Sequence, residues 1–404
     1  MRIQLWSYNY DPEPSGIAPL SGTWARAMRD RGHEVLVVAA HPHYPKAIWG
    51  SRTKPYRERR EDVPVLRLPL WIGRETARDR LRQEVSYMAS LGALAPLLPT
   101  PDAVVAVTPS FPGLLPAMVN ARLRGIPWIM WLQDILPEGA ATTGLVEPGL
   151  ILEAARRFEM AAYRSAEKIV VISDAFERNL RAKGVPQEKM IRIFNPSAVR
   201  VGAYRPPRRP EGAARLLVMG NIGHTQGLTD IVRAVESSGA LGRSDAQLRI
   251  AGHGVAADEV AAAVTSHRVK MVGLLLGQEM EEELEGTTVG LVTQRADVAE
   301  FNLPSKLMNY MAHALPVIAV VNLDSGTARI VRETGAGWVV DSSRLEEQLP
   351  RAIEEILADP REIVRRGRAA HEAAVHHFAP ERIAEQYERV LTGLTLGPSV
   401  HSEG

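Results

Sequence analysis

The chain has 404 residues and a mass of 44.3 kDa, enough for two or three domains. Its 45% hydrophobic and 24% charged residues exclude disordered, collagenous and coiled-coil chains. The formal charge of +1 lacks the basic excess of a dedicated nucleic-acid binder. Without cysteine there are no disulfides, thiolate zinc sites, iron–sulfur clusters or cysteine nucleophile, a composition compatible with a reducing cytosol. The opening Met1–Tyr8 stretch is too short, and the residues after it too polar, for a secretion signal. The longest nearly uncharged run, 87–98, falls short of the about 20 residues a membrane span needs, so a soluble, cytoplasmic protein is expected.

In chain order, Arg2–Tyr8 predicts a strand, followed by a loop with Pro12, Pro14 and Gly16. Trp24, Ala25, Ala27 and Met28 predict a helix over Ser21–Arg31 that stops at Gly32. Glu34–Ala39 is a nearly continuous β-branched run, as in a parallel strand covered on both faces. The alternation continues with strands at Val63–Leu68, Ala103–Val107, Trp128–Leu132 and Lys168–Ile172. Helices are expected near 78–98, 113–124 and 150–164, and the pattern is that of a doubly wound α/β domain.

Asn195-Pro196 and the proline-rich, charged 204–210 form a linker. Strands restart at Arg215–Gly220, Gln247–Ala251, Val269–Met271, Val289–Thr293, Val317–Val320 and Trp338–Val340, giving a second α/β domain. The expected division is a domain over 1–195, a second over 205–375, a helix over 380–395 and a flexible polar tail over 396–404. Ligands of open α/β sheets sit beyond the carboxyl ends of the strands, so two such domains are expected to face a cleft.

The loop Tyr10–Ala18 leads into the first helix, whose free N–H groups suit an anion or a sugar hydroxyl. It holds Gly16 but no G-x-G-x-x-G, and no acidic residue closes the second strand, which argues against a dinucleotide site. A plain turn is the other reading. In the second domain Gly220-Asn221-Ile222-Gly223-His224-Thr225-Gln226-Gly227 takes the same place. Its glycines let a backbone approach a ligand and its helix start can hold a diphosphate, but it lacks the Gly-Lys-Ser/Thr ending of a P-loop. In the segment Glu300–Ala319, Pro304 suits a first helical turn, and Ser305, Lys306 and Asn309 share the turns where an anion would bind.

This last segment resembles the sugar-nucleotide-binding stretch of retaining GT-B glycosyltransferases, the large family-4 group. Tyr10-x-Pro12-Glu13-x-x-Gly16, His41-Pro42-His43-Tyr44-Pro45, Trp131-Leu132-Gln133-Asp134 with Pro137-Glu138, and Gly220–Gly223 with Gln226-Gly227 resemble its fucosamine-transferase-like and colanic-acid-type branch. The resemblance spans roughly 1–390. It implies two Rossmann-like domains and a metal-independent transfer, with retention, from a nucleoside-diphosphate sugar to a hydroxyl acceptor on a sugar, a lipid-linked carrier or a small molecule. A UDP-sugar is favoured over a GDP-sugar. It further implies no separate cofactor and a last helix packed back on the first domain.

By this resemblance the donor contacts are Gly220, Asn221, Gly223, His224, Gln226, Gly227, Arg295, Ser305, Lys306 and Asn309. The acceptor contacts are Gly16, His41, His43, Tyr44 and Gln133, and Asp134, Lys306 and Glu300 are the catalytic candidates. Most of the family carries two glutamates about eight positions apart, where this chain has Phe301, beside Glu300, and Asn309. The family's usual Arg and Lys of the second glycine-rich loop are replaced by Asn221 and Gln226, so diphosphate charge falls to Lys306, Arg295 and His224. Asp134 also reads as a turn cap and the two histidines as solvated turn residues, and a His-x-His metal pair lacks a third ligand nearby in sequence. Residues 46–82 hold eleven Lys and Arg against five Asp and Glu. With the increasingly apolar helix after them, 46–98 reads either as a peripheral contact with the inner face of a membrane or as a solvated loop beside a core helix. A sugar-nucleotide epimerase of the same fold and a catalytically silent sugar-nucleotide-binding subunit are the alternative functions.

Overall fold

The computed structural model describes residues 1–14, 16–43, 49–50, 52–73, 76–108, 110–135, 150–207, 213–298 and 303–395. They form two compact units, Met1–Asn195 with Ile383–Gly404, and Pro196–Arg382.

The first unit contains β1 (Arg2–Ser7), α1 (Ala18–Asp30), β2 (Glu34–Ala40), β3 (Tyr56–Arg60), β4 (Val63–Leu68), α2 (Ala77–Leu94), β5 (Ala103–Val107), α3 (Leu114–Arg124), β6 (Trp128–Leu132), α4 (Leu150–Ser165), β7 (Lys168–Val171), α5 (Asp174–Ala182) and β8 (Met190–Arg192). The sheet order is β3-β4-β2-β1-β5-β6-β7-β8, parallel throughout except for the antiparallel β3–β4 pair. Leu5 pairs with Val105, which pairs with Ile129, so the central strands align their apolar residues. Every residue of β5 and β6 is buried, as expected of strands covered on both faces. Thr76 and Asp79 form a reciprocal capping box at the start of α2. Gly125, at φ 65°, ends α3 in the left-handed region.

β3 departs from the loop expected there. Its sequence, Tyr-Arg-Glu-Arg-Arg, has no apolar run, yet it pairs along β4 as a charged edge strand with alternating exposure, a form that resists pairing with other chains. The basic stretch is thereby partly neutralised from within. Arg67 of β4 is fully buried; it donates to Glu58 at 2.8 Å, to the Ala40 carbonyl at 3.2 Å and to the Asp11 carbonyl, while Arg60 meets Asp11 at 3.3 Å.

The second unit contains β9 (Ala214–Asn221), α6 (Leu228–Ser238), α7 (Ala240–Arg243), β10 (Ala246–His253), α8 (Ala257–Ala262), β11 (Val269–Gly273), α9 (Gln278–Glu285), β12 (Val289–Thr293), α10 (Ser305–Ala312), β13 (Val317–Val321), α11 (Gly326–Thr334), β14 (Gly337–Asp341), α12 (Leu345–Ala358) and α13 (Pro360–His377). Its parallel sheet has the order β11-β10-β9-β12-β13-β14. Leu216, Val218, Ile250, Leu291 and Ile318 from the strands join Ile231, Val235, Leu349 and Ile353 from α6 and α12 in one core.

The last helix, α14 (Pro380–Thr395), has its residues from Ile383 onward in the first unit. There the buried Tyr387 packs edge-on against Trp24 of α1 and Trp131 of β6, with ring centroids 5.3 and 5.5 Å away. Glu388 meets His33 at 3.0 Å and also pairs with Arg31. Among the described residues no helix is long and apolar enough to cross a membrane.

Candidate functional site

In the second unit the site is built around α10. Tyr310 lies over Gly290 of β12, where a Cβ would come within 2.4 Å of its ring. Its hydroxyl donates to the Leu217 carbonyl at 2.8 Å and accepts from the Met219 N–H at 2.9 Å. One side chain thus pins α10 to two strands and places Lys306, one turn earlier, beside the end of β9. The Lys306 Cε lies 4.0 Å from where a Gly220 Cβ would be, and its Nζ donates to Gln226 Oε1 at 2.6 Å.

Lys306 is buried and, among the described residues, faces no carboxylate. Burial lowers its pKa from 10.5 to about 8. Ser305 opens the same helix, with Pro304 as its cap and no side chain on its free N–H groups. A lone cation against a glycine loop and a helix start is suited to an anion.

The glycine loop runs through a short 3₁₀ turn, His224–Gln226, to Gly227 at φ 62°, which starts α6. Asn221 and Gly223 stand at its entrance, the Asn221 Nδ2 being 3.0 Å from where a Gly223 Cβ would sit. Arg295 packs over Gly227, and its N–H donates to the Thr225 carbonyl at 3.0 Å. Its guanidinium is held in two hydrogen bonds by Asp297, at 2.9 and 2.7 Å, and the exposed His224 lies 3.7 Å from Glu259. Of the three cations expected to meet a diphosphate, Lys306 alone is without an acidic partner among the described residues. Asn309 is buried, and its Oδ1 accepts from Ser197 Oγ and the Ala198 N–H, both at 3.3 Å.

Two site glycines escape a reading of the first loop alone. At Gly252, at the end of β10, a Cβ would lie 1.8 Å from the Gly220 carbonyl oxygen; at Gly254 it would lie 2.3 Å from that of Ile222. The G-x-G after β10 is the signal that could have found them, since such crowding excludes any side chain.

In the first unit, Gly16 sits exposed at φ 65° before α1. Glu13 is buried and accepts from Asn9 Nδ2 at 2.9 Å and from the His43 N–H at 2.8 Å. The His43 ring is enclosed, 2.9 Å from the His41 carbonyl, 3.3 Å from Asn9 and 4.8 Å from the ring of Tyr8. His43 therefore fastens the loop and has no open edge for an acceptor. Gln133 forms a reciprocal amide pair with Asn195, 2.8 Å each way, and Trp131 Nε1 also donates to Asn195 at 3.1 Å. Its amide is committed to the fold rather than to a sugar.

Asp134 follows β6 at its carboxyl end, where Thr108 Oγ1 accepts from the N–H groups of Gln133 and Asp134. The carboxylate reaches solvent beside apolar surroundings that raise its pKa, while the Ile135 N–H, at 2.9 Å, pulls the other way. His41 is 1% exposed, and among the described residues no hydrogen bond of good geometry reaches either ring nitrogen. Tyr44 and Glu300 lie outside the described residues, as do Pro137, Glu138 and Phe301. Among the described residues no group of three or more His, Asp or Glu could hold a metal ion.

Residues 15–196 match the family model of a glycosyl transferase 4-like domain, and residues 213–359 that of glycosyl transferases group 1. The putative colanic acid biosynthesis glycosyl transferase WcaI of Escherichia coli K12 is 26% identical over 338 residues, spanning 77% of this chain and 81% of WcaI. Sucrose-phosphate synthase from Thermosynechococcus elongatus superposes with a TM-score of 0.72 at 18% identity, over 98% of this chain and 99% of the synthase. Anabaena HepE in complex with UDP does so with a TM-score of 0.68 at 16% identity, over 97% and 100% of the two chains.

Proposed function

Given that the chain belongs to the GT-B glycosyltransferases, with a 4-like domain followed by a group 1 domain, we propose that it moves a sugar from a nucleoside-diphosphate donor to a hydroxyl acceptor. The transfer is metal-independent and retains configuration at the anomeric carbon, and a UDP-sugar is the favoured donor. The observation that carries this reading is Lys306, a buried cation bonded to the neutral Gln226 between the glycine loop and the start of α10. A diphosphate there gains the lysine charge and the helix N–H groups, and both stabilise the leaving group as the bond from C1 to the β-phosphate breaks. HepE in complex with UDP supports a uridine nucleotide in the same fold. Asp134 accepts the hydrogen bond of the acceptor hydroxyl as its oxygen forms the new bond to C1. Its raised pKa suits it to take the proton.

A panel of UDP-, GDP-, TDP- and ADP-sugars with their free nucleotides tests the donor assignment by thermal shift. Uridine nucleotides are expected to stabilise the protein, by about 2.7 kcal/mol at a hundredfold excess over Kd, and Lys306→Ala to lose the shift. No shift with any nucleotide would overturn the donor site. Transfer with EDTA present and NMR of the product's anomeric proton test metal independence and retention.

We also propose that the first unit docks on an anionic membrane surface. Between Val85 and Ala121 only Asp102 is charged. Leu81, Val85 and Leu97 around α2, and Leu115, Val119 and Leu123 in one stripe along α3, are exposed, with Leu97 and Leu123 at 78% and 79%. Exposed Arg78, Arg80, Arg82 and Arg122 flank this face, and basic-plus-apolar surfaces attract anionic lipid. Salt-sensitive co-sedimentation with phosphatidylglycerol vesicles, but not phosphatidylcholine vesicles, is expected. Equal binding to both, or none, would remove the proposal.

A further inference from the structure

Beside the expected acceptor end of the first unit lies a cavity of about 430 Å³ that the motif residues alone do not account for. His41 and Pro42, directly after β2, form one wall, and the other side holds Trp49, Arg52, Tyr56, Glu58 and Arg60. It therefore opens at the carboxyl end of a parallel strand, where α/β sheets present ligand sites.

Three features of the lining converge on one chemistry. The Arg52 guanidinium stacks 4.6 Å over the Tyr56 ring and has no carboxylate partner among the described residues. Glu58 is already neutralised from behind by the buried Arg67, and Arg60 shares Asp11, so three guanidinium groups face two carboxylates and positive charge is left over. The His41 ring, 5.1 Å from Tyr56, is buried, and among the described residues neither nitrogen has a hydrogen bond of good geometry. Buried polar groups left unmet are costly, and a ligand oxygen would satisfy them. Burial keeps this imidazole below its ordinary pKa, and the nearby Arg52 and Lys54 carbonyls only partly oppose it.

We propose that this cavity binds an anionic saccharide, its acidic group held by Arg52 and Arg60, its ring against Tyr56 and Trp49, and a polar oxygen on His41. Resting on the transferase reading, the saccharide is a part of the acceptor that does not react. The charge is carried either by a sugar carboxylate or by a phosphate ester, and the geometry of a guanidinium fork suits both.

The test uses the full-length protein with saturating UDP, so that the nucleotide site is filled. Saturation-transfer NMR compares methyl glucuronide, glucose 1-phosphate and neutral methyl glucoside. At least one anionic sugar is expected to bind about fivefold or more tightly than the glucoside, and the stronger of the two identifies carboxylate or phosphate. Arg52→Gln, at an exposed position, is expected to erase that preference with UDP affinity unchanged. The proposal is overturned if the three sugars bind alike, if none binds at about 20 mM, or if the preference survives in Arg52→Gln. Failure of the unsubstituted protein to bind UDP, with its sugar preference present and erased by Arg52→Gln, would instead strike the donor assignment alone.

Discussion

In the second unit the loop after β9 stops short of satisfying its own charge, for among the described residues Lys306 has only the Gln226 amide. The corresponding loop after β1 in the first unit is closed on itself, with Glu13 bound to Asn9 and to the His43 backbone, and the His43 ring enclosed. The same contrast separates neighbours in sequence: Gln133 is locked to Asn195 whereas Asp134 faces solvent. A polar motif residue at a strand end belongs to the fold when internal bonds consume it. It is available to a ligand when a charge or a lone pair is left over.

The sharpest way to break this comparison is Asp134→Asn. It is expected to lower kcat by about 10²–10³ with UDP affinity unchanged, measured by transfer assay beside calorimetry. Lys306→Met is expected to weaken UDP binding by about 30- to 100-fold, the loss of a charge-assisted contact of about 2–3 kcal/mol. The same variant should be the more stable protein without ligand. A lysine whose folded pKa is about 8 instead of 10.5 costs stability below pH 8, relieved as pH rises towards 10.5, so removing the charge at pH 7 gains up to about 3 kcal/mol. Denaturant titration reads this, and a destabilised Lys306→Met would refute the isolated cation.

Gln133→Ala supplies the opposite arm. It should lower stability by about 1–3 kcal/mol through the orphaned Asn195 amide and leave the UDP dissociation constant as it was. The smallest effect is in pH. Because the free Lys306 loses its proton near pH 8, UDP affinity is expected to fall about tenfold between pH 7 and pH 9. The calorimetric profile of Lys306→Met should be flat over that range.

The strands that lie under both faces of helices are the part of the fold that reads directly. β4, β5, β6 and β12 run over the residues expected from their apolar sequences, because a strand buried on both sides tolerates little else. β3 was not legible, since Tyr56–Arg60 is a charged edge with no apolar run, held as a strand by its pairing with β4. In the site, the position of Lys306 on the first turn of α10 follows from Pro304 and the apolar spacing after it. That Arg295 is already paired with Asp297, two residues further on, does not. Arg67 looks in sequence like one more surface cation in a basic stretch, and the fold instead encloses it between Glu58 and the carbonyls of Ala40 and Asp11.

The sequence by itself determined the alternation of apolar strands and amphipathic helices, the two parallel-sheet units, and the glycines and helix starts where an anion can approach. Those are properties of short stretches, governed by local propensity, periodicity and the absence of a Cβ. Only the tertiary structure decided which polar groups stay free, because a hydrogen bond between residues as distant as Gln133 and Asn195, or between Tyr310 and the backbone of β9, depends on which surfaces pack together. Burial then sets each charge's energy, so whether a lysine stays paired or is left waiting for an anion is a property of the packed unit rather than of its motif.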